Sequence, residues 1–212
     1  MDLQKVRDRT PDELFIRKKE FLKICDILDD LNINYFLQTG VLLGAVREND
    51  FIKWDWGVDI SVFTDEFKNQ IDPLTLSLKK ANFEIIYVLN KKNDLKIYFK
   101  GKYPKDVTGY TIFSWNYSKK NDFYWRRNYS VPSKFLKSFS NVFFLGRKFR
   151  CPKNPEEYLT YAYGNWKKPI RTSDKEIYNS NDYHKLQKVF FWKKIIHVFK
   201  RNLNYIKKKI KL

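Results

Sequence analysis

Apolar positions outline the elements of this chain before any chemistry is considered. Leu14, Phe15, Phe21, Leu22, Cys25, Leu28 and Leu31 recur at largely helical spacing. Thr10-Pro11-Asp12-Glu13 stands directly before them. Thr10 can cap a helix, Pro11 suits its first position, and Glu13 can reach back to close a capping box. The pattern predicts a helix from about Pro11 to Leu31. Asn34 to Gln38 then reads as a short strand, Thr39-Gly40 as a turn, Val41 to Arg47 as a short helix, and Val58 to Phe63 as a second strand.

Beyond this point the pattern alternates between periods. Pro73 to Ala81 reads as a helix. Phe83 to Leu89, Leu95 to Phe99 and Val107 to Ser114 are rich in Ile, Tyr, Val and Phe and read as strands. Asn141 to Arg150 reads as a hairpin turning near Leu145-Gly146. Asn154-Pro155-Glu156-Glu157 opens a further helix that Gly164 would end. The expected fold is α+β, with one mixed central sheet flanked by helices.

The last 22 residues differ in kind. In 191–212, Trp192, Ile195, Ile196, Phe199, Leu203, Ile206 and Ile210 fall on one helical face, and eight Lys and Arg accompany them without an acid. The expectation is a domain over 1–190 and a basic amphipathic helix over 191–212. Such a helix favours an anionic membrane surface, or else packs its apolar stripe on the domain.

Composition changes this picture in one respect. The chain of 212 residues is 43% hydrophobic and 18% aromatic, enough for a core and too apolar for wholesale disorder. The formal net charge is +18, which points to an anionic partner. The tail holds eight of the 42 Lys and Arg, so residues 1–190 carry 34 basic residues against all 24 acids. That moderate excess suits phosphorylated substrates. No nucleic acid is expected, because no recognition motif for DNA or RNA is visible.

The two cysteines, Cys25 and Cys151, make no disulfide framework and are expected to be reduced. The first residues lack the apolar segment of a signal peptide. The longest charge-free stretch, Leu31 to Val46, falls short of the roughly 20 apolar residues of a membrane span. A cytoplasmic protein, peripheral on the inner face of the membrane through its tail, is the expectation. His184 and His197 stand apart with no Cys or His at metal spacing, so no zinc site is expected. Dinucleotide-binding and P-loop glycine signatures are absent.

The candidate chemistry lies in Phe36 to Arg47 and Phe51 to Val62. A strand runs into the Thr39-Gly40 turn and then into a helix N-terminus, whose backbone N–H groups and dipole favour a phosphate. Arg47 can add a fixed charge to an anion. Asp55 and Asp59 follow; on a strand, positions 55, 57 and 59 share one face. Carboxylates arrayed so hold Mg²⁺ (or Mn²⁺) and, through it, substrate phosphates.

These segments resemble a known family. G-V-L-L-G-A-V-R at 40–47 and W-D-W-G-V-D-I at 54–60 are similar to the G-x-L-L-G-x-x-R and W-D-x-D-x-D segments of the LicD/fukutin family. Cys151-Pro152, Glu156-Glu157, Leu159, Tyr163-Gly164, Trp166 and Pro169 are similar to its closing segment. The resemblance implies a nucleotidyltransferase-like fold. It also implies transfer of a phosphorylated alcohol, such as phosphocholine or ribitol phosphate, from a CDP-activated donor onto a sugar hydroxyl of a cell-surface glycan, lipid-linked acceptors included. Carried over by position, Thr39, Gly40 and Arg47 would bind the donor phosphate, and Asp55, Asp59 and Asp106 would hold the metal and supply the catalytic acids. One position departs: Gly57 stands where the family places an acid. That departure implies an alternative, a catalytically impaired member that binds an anionic glycan or nucleotide sugar.

Overall fold

The computed structural model describes residues 7–55, 57–101, 109–127 and 129–172. Trp56, Asp106, His184, His197 and the expected tail helix over 191–212 lie outside them.

Helix α1 (Pro11–Asp30) forms where the capping signal places it. The Glu13 N–H donates to Thr10 Oγ1 at 3.3 Å, and the Thr10 N–H donates to Glu13 Oε2 at 2.7 Å. Phe21, Ile24, Cys25 and Leu28 are fully buried on one face of α1, while Phe15, in the same apolar pattern, is exposed beneath the Lys19 ammonium. Arg7 bonds the Glu13 carboxylate and holds its pKa down at about 2.

The next elements are β1 (Tyr35–Leu37), α2 (Thr39–Arg47), β2 (Gly57–Phe63), α3 (Thr64–Phe67) and α4 (Ile71–Lys80). They are followed by β3 (Glu84–Lys91), β4 (Asp94–Lys100), β5 (Gly109–Ser118), β6 (Phe123–Arg126) and β7 (Tyr129–Pro132). After a 3₁₀ turn at Ser133–Phe135 come β8 (Phe139–Phe144), β9 (Arg147–Pro152) and α5 (Pro155–Tyr163). The expected hairpin is the β8–β9 pair, turning at Leu145 (φ 48°) and Gly146 (φ 80°), and it forms its own two-stranded sheet. Gly164, at φ 64°, ends α5 as its position predicts.

Among the described residues the main sheet has seven strands. Its path is β1-β2-β5-β4-β3, and β6 and β7 extend from the far end of β5. Among the described strands only β2 and β5 run parallel; the other pairs of this sheet are antiparallel. The sheet is therefore mixed, as expected. The sequence pattern did not mark β6 and β7. They are short, and the run Phe123-Tyr124-Trp125-Arg126 is half-buried at every position, so it shows no alternation.

Registry divides the sheet into two faces. Val58, Ile60 and Val62 lie opposite Tyr110, Ile112 and Ser114. This face is the apolar one and receives α1, where Glu20 accepts a 2.8 Å hydrogen bond from Tyr110 Oη. Asp59, Ser61 and Phe63 lie opposite Thr111, Phe113 and Trp115 on the other face, and Phe36 of β1 joins them beside Ser61. Phe63 and Phe36 continue that face into Phe139 of β8, and Phe63 also meets Tyr124 of β6.

Cys25 and Cys151 are buried free thiols. Burial pushes the Cys25 thiol up to about 12 and raises that of Cys151, so neither is poised as a nucleophile. Among the described residues no helix is long and apolar enough to cross a membrane.

Candidate active site

The strand–turn–helix from β1 to α2 carries the predicted phosphate turn. The residue with the unusual backbone is Thr39, not Gly40: Thr39 has φ 53° and Gly40 has an ordinary φ. A β-branched residue in the left-handed region is strained, and such strain gathers at functional sites. Gly40 is required for a different reason. A Cβ there would lie 2.6 Å from Asp55 Oδ2. The missing side chain lets the Asp55 carboxylate rest against the first turn of α2.

Asp55 is not on the strand. It precedes β2, and its Oδ1 accepts the Gly57 N–H at 3.2 Å. This is a local side-chain turn, which starts the strand two residues later. The expectation that positions 55, 57 and 59 share one strand face therefore holds only for 57 and 59. Asp55 instead reaches the turn from beside the strand.

Asp59 is half-buried on β2, opposite Thr111. It makes no hydrogen bond or ion pair among the described residues. A carboxylate held partly out of water without a partner is costly. Gly57 shares its face. A Cβ at Gly57 meets nothing nearer than the Gly109 carbonyl oxygen at 3.8 Å, an ordinary contact, so the position has room for an acid.

Arg47 is not brought to this turn. It stands in the last turn of α2, at the opposite end from Gly40. Its Nε donates to Glu48 Oε1 at 2.8 Å, and its Nη1 donates to the Trp166 carbonyl at 2.9 Å. Arg47 thus ties α2 to the closing segment after α5. Trp166 is itself buried, its Nε1 bonded to Thr160 Oγ1 at 3.1 Å, and Tyr161 Oη reaches the Ser130 carbonyl at 3.5 Å. These aromatics pack the closing segment.

Behind the turn lies a polar relay that the sequence did not mark. Trp115 Nε1 donates to Ser61 Oγ at 3.3 Å, and Ser61 Oγ donates to Gln38 Oε1 at 3.0 Å. Gln38, Ser61 and Trp115 are buried. The relay pins the residue that starts α2 to the Asp59 face of β2 and β5. Its only sequence signal is the polar Ser61 inside the apolar run Val58 to Phe63. Tyr158 of α5 is fully buried beside Gln38 and the Thr39 backbone, and burial pushes its phenol well above the usual range.

The described donor set for a metal is small. Asp55 and Asp59 are both near the turn, and no cluster of three or more His, Cys, Asp or Glu is present among the described residues. Two carboxylates suffice for Mg²⁺, which commonly takes one or two and fills its remaining positions with water and substrate phosphate. The residues present fit that mode of binding.

A mixed sheet with a parallel β2–β5 pair, a glycine turn feeding a helix and acids at the start of the adjacent strand define a domain of the nucleotidyltransferase kind. The chain belongs to the LicD/FKTN/FKRP family, whose nucleotidyltransferase-domain model matches residues 32–154. The human protein named ribitol-5-phosphate transferase FKTN is 28% identical over 185 residues, covering 81% of this chain and 38% of its own length. The mouse protein named ribitol 5-phosphate transferase FKRP is 35% identical over 46 residues, 22% of this chain and 9% of its own. A Caenorhabditis elegans protein, T07A5.1, is 26% identical over 176 residues. The chain thus spans less than half the length of each of these relatives. The antibiotic-resistance factor ANT(2'')-Ia is similar over 93% of this chain and 96% of that one, at 11% identity and a TM-score of 0.48, too distant to inform the site.

Proposed function

We propose that this chain transfers a phosphorylated alcohol, ribitol phosphate or phosphocholine, from a CDP-activated donor onto a sugar hydroxyl of a glycan. The observation that carries the reading is Asp59: a half-buried carboxylate without a partner among the described residues, on the strand that follows the Gly40–Asp55 contact. Family membership and the names of the relatives support the class of reaction.

Asp59 and Asp55 would hold Mg²⁺, with Asp106 as the third acid that the sequence nominates. Bound there, the metal neutralises charge on the donor phosphates. The backbone N–H groups at the start of α2 receive a phosphate oxygen. One of the acids takes the proton of the attacking acceptor hydroxyl. The rest of the catalysis is positioning and fixed electrostatics.

The test is a screen of CDP-ribitol, CDP-choline, CDP-glycerol and CDP-ethanolamine with Mg²⁺ or Mn²⁺, reading CMP release. Release with at least one donor, stopped by EDTA, is expected. Gly57 motivates a second reading, a module that binds the donor without transferring it. In that case the wild type releases no CMP from any donor. Gly57→Asp, for which there is room, then restores metal-dependent release.

The segment 191–212 is proposed as a contact to anionic membranes, bringing the domain to lipid-linked acceptors. Truncation after residue 190 is then expected to shift the protein from vesicles containing phosphatidylserine to the supernatant in a sedimentation assay. Equal pelleting of both forms would remove that role.

A further inference from the structure

Arg126 ends β6 on the same sheet face as Asp59. Its guanidinium carbon stands 3.5 Å from the ring centroid of Phe113, 4.8 Å from that of Tyr129 and 5.3 Å from that of Trp115. Phe113 lies opposite Ser61, one pleat along from the Asp59–Thr111 pair. The guanidinium is thus seated among three aromatic rings, two residues along the strands from the unpartnered acid. No carboxylate pairs with it among the described residues, and its buried Nε has no acceptor. An arginine stacked this way keeps its N–H fork free for an incoming anion.

The atoms around it have the same need. Gln38 spends its Oε1 on Ser61, and its Nε2 is buried with no acceptor. Tyr158 Oη is buried without a well-formed hydrogen bond; the Gln38 amide and the Thr39 backbone lie within donating reach of it, and the Arg126 charge acts on it. Leaving buried polar groups unmade is expensive, and native structures rarely do so without a reason. The unspent groups on Arg126 and Gln38 are donors, and the Tyr158 hydroxyl can both donate and accept. An acceptor satisfies all three at once, which a cation does not.

We propose that Arg126, with Gln38 Nε2 and Tyr158 Oη, forms an anion clamp that holds the diphosphate of the nucleotide-activated donor against the Asp59 face. This rests on the transferase reading for the identity of the ligand, but the clamp itself is defined by donors on the page. It assigns the fixed positive charge to β6, a hairpin strand that the sequence did not reveal, in place of Arg47. Arg126 acts as a binding and positioning residue: it fixes the phosphate while the acids act on the acceptor.

The test measures inorganic pyrophosphate binding by calorimetry, separately from turnover. Arg126→Met keeps the stem on the rings and removes the fork, and is expected to weaken pyrophosphate at least about tenfold. Arg126→Lys restores part of the affinity. Tyr158→Phe is expected to weaken pyrophosphate severalfold while leaving the melting temperature about equal or higher, because no well-formed hydrogen bond to the hydroxyl is lost. A purely structural role predicts the reverse, lower stability and unchanged binding. Unchanged pyrophosphate affinity in Arg126→Met overturns the clamp, as does a wild type that binds no pyrophosphate. CDP-ribitol turnover by the wild type judges the donor assignment independently. Turnover that survives Arg126→Met leaves the transferase and removes the clamp; a clamp that binds pyrophosphate in a protein that never releases CMP does the opposite.

Discussion

Asp59→Asn is expected to lower metal-dependent CMP release at least about a hundredfold while the protein unfolds at the same temperature or higher. The two halves of this result come from one observation. Asparagine keeps the shape of the side chain and removes its charge. If that charge holds a metal, its loss removes transition-state stabilisation on the order of several kcal/mol, and a hundredfold corresponds to about 2.7 kcal/mol. Because Asp59 has no partner among the described residues, the substitution breaks no native hydrogen bond or ion pair there, and it relieves a half-buried unpaired charge. A combined measurement of CMP release and thermal unfolding decides the matter. Full activity in Asp59→Asn removes it from the site. Loss of activity together with a large loss of stability assigns it to the fold instead.

Gly40→Ala is the second large effect, and it acts through a neighbour. The added Cβ would sit 2.6 Å from Asp55 Oδ2. No backbone strain opposes alanine there, since Gly40 has an ordinary φ. The carboxylate must swing away and give up its 3.2 Å bond from the Gly57 N–H. The expected result is a fall in CMP release of about tenfold or more with only a modest change in stability. If the damage is the displaced carboxylate, Asp55→Ala costs a similar amount, and the double variant is no worse than the worse single. Independent sites would instead add. A rate cycle over the four proteins therefore tests whether Gly40 serves the phosphate directly, as the turn motif implied, or serves Asp55.

Much of the framework was legible because the signals were local. The Thr10–Glu13 box, the Gly164 stop, the Leu145-Gly146 turn and the β-branched and aromatic runs of β2 to β5 each announce themselves within a few residues. The site was legible only where it is contiguous. The Gly40 turn and the acids near β2 were visible as a motif, but their arrangement was not. Asp55 was read as a strand residue, because alternation cannot register a side chain that bonds its own backbone two residues on. Arg47 was read as a phosphate ligand, because a helix motif does not say that its last residue is spent on Glu48 and Trp166. Gln38, Arg126 and Tyr158 were missed altogether. Arg126 reaches its aromatic seat because β6 pairs back along the far end of β5, and Tyr158 reaches Gln38 from α5; β6 has no periodicity to show.

The parallel pairing of β2 with β5 has a consequence for how the molecule comes together. Antiparallel neighbours such as β3 and β4 can zip from a hairpin, whereas β2 must wait for α3, α4, β3 and β4 to be laid down before β5 reaches it. Ser61 finds Trp115 across 54 positions of chain. Contacts of such long range close slowly, since the loop entropy is spent before any of it is returned. Asp59, its Thr111 neighbour and the aromatic seat of Arg126 are set in place by that one closure. Recovery of pyrophosphate binding during refolding should therefore coincide with burial of Trp115, and trail the appearance of helix.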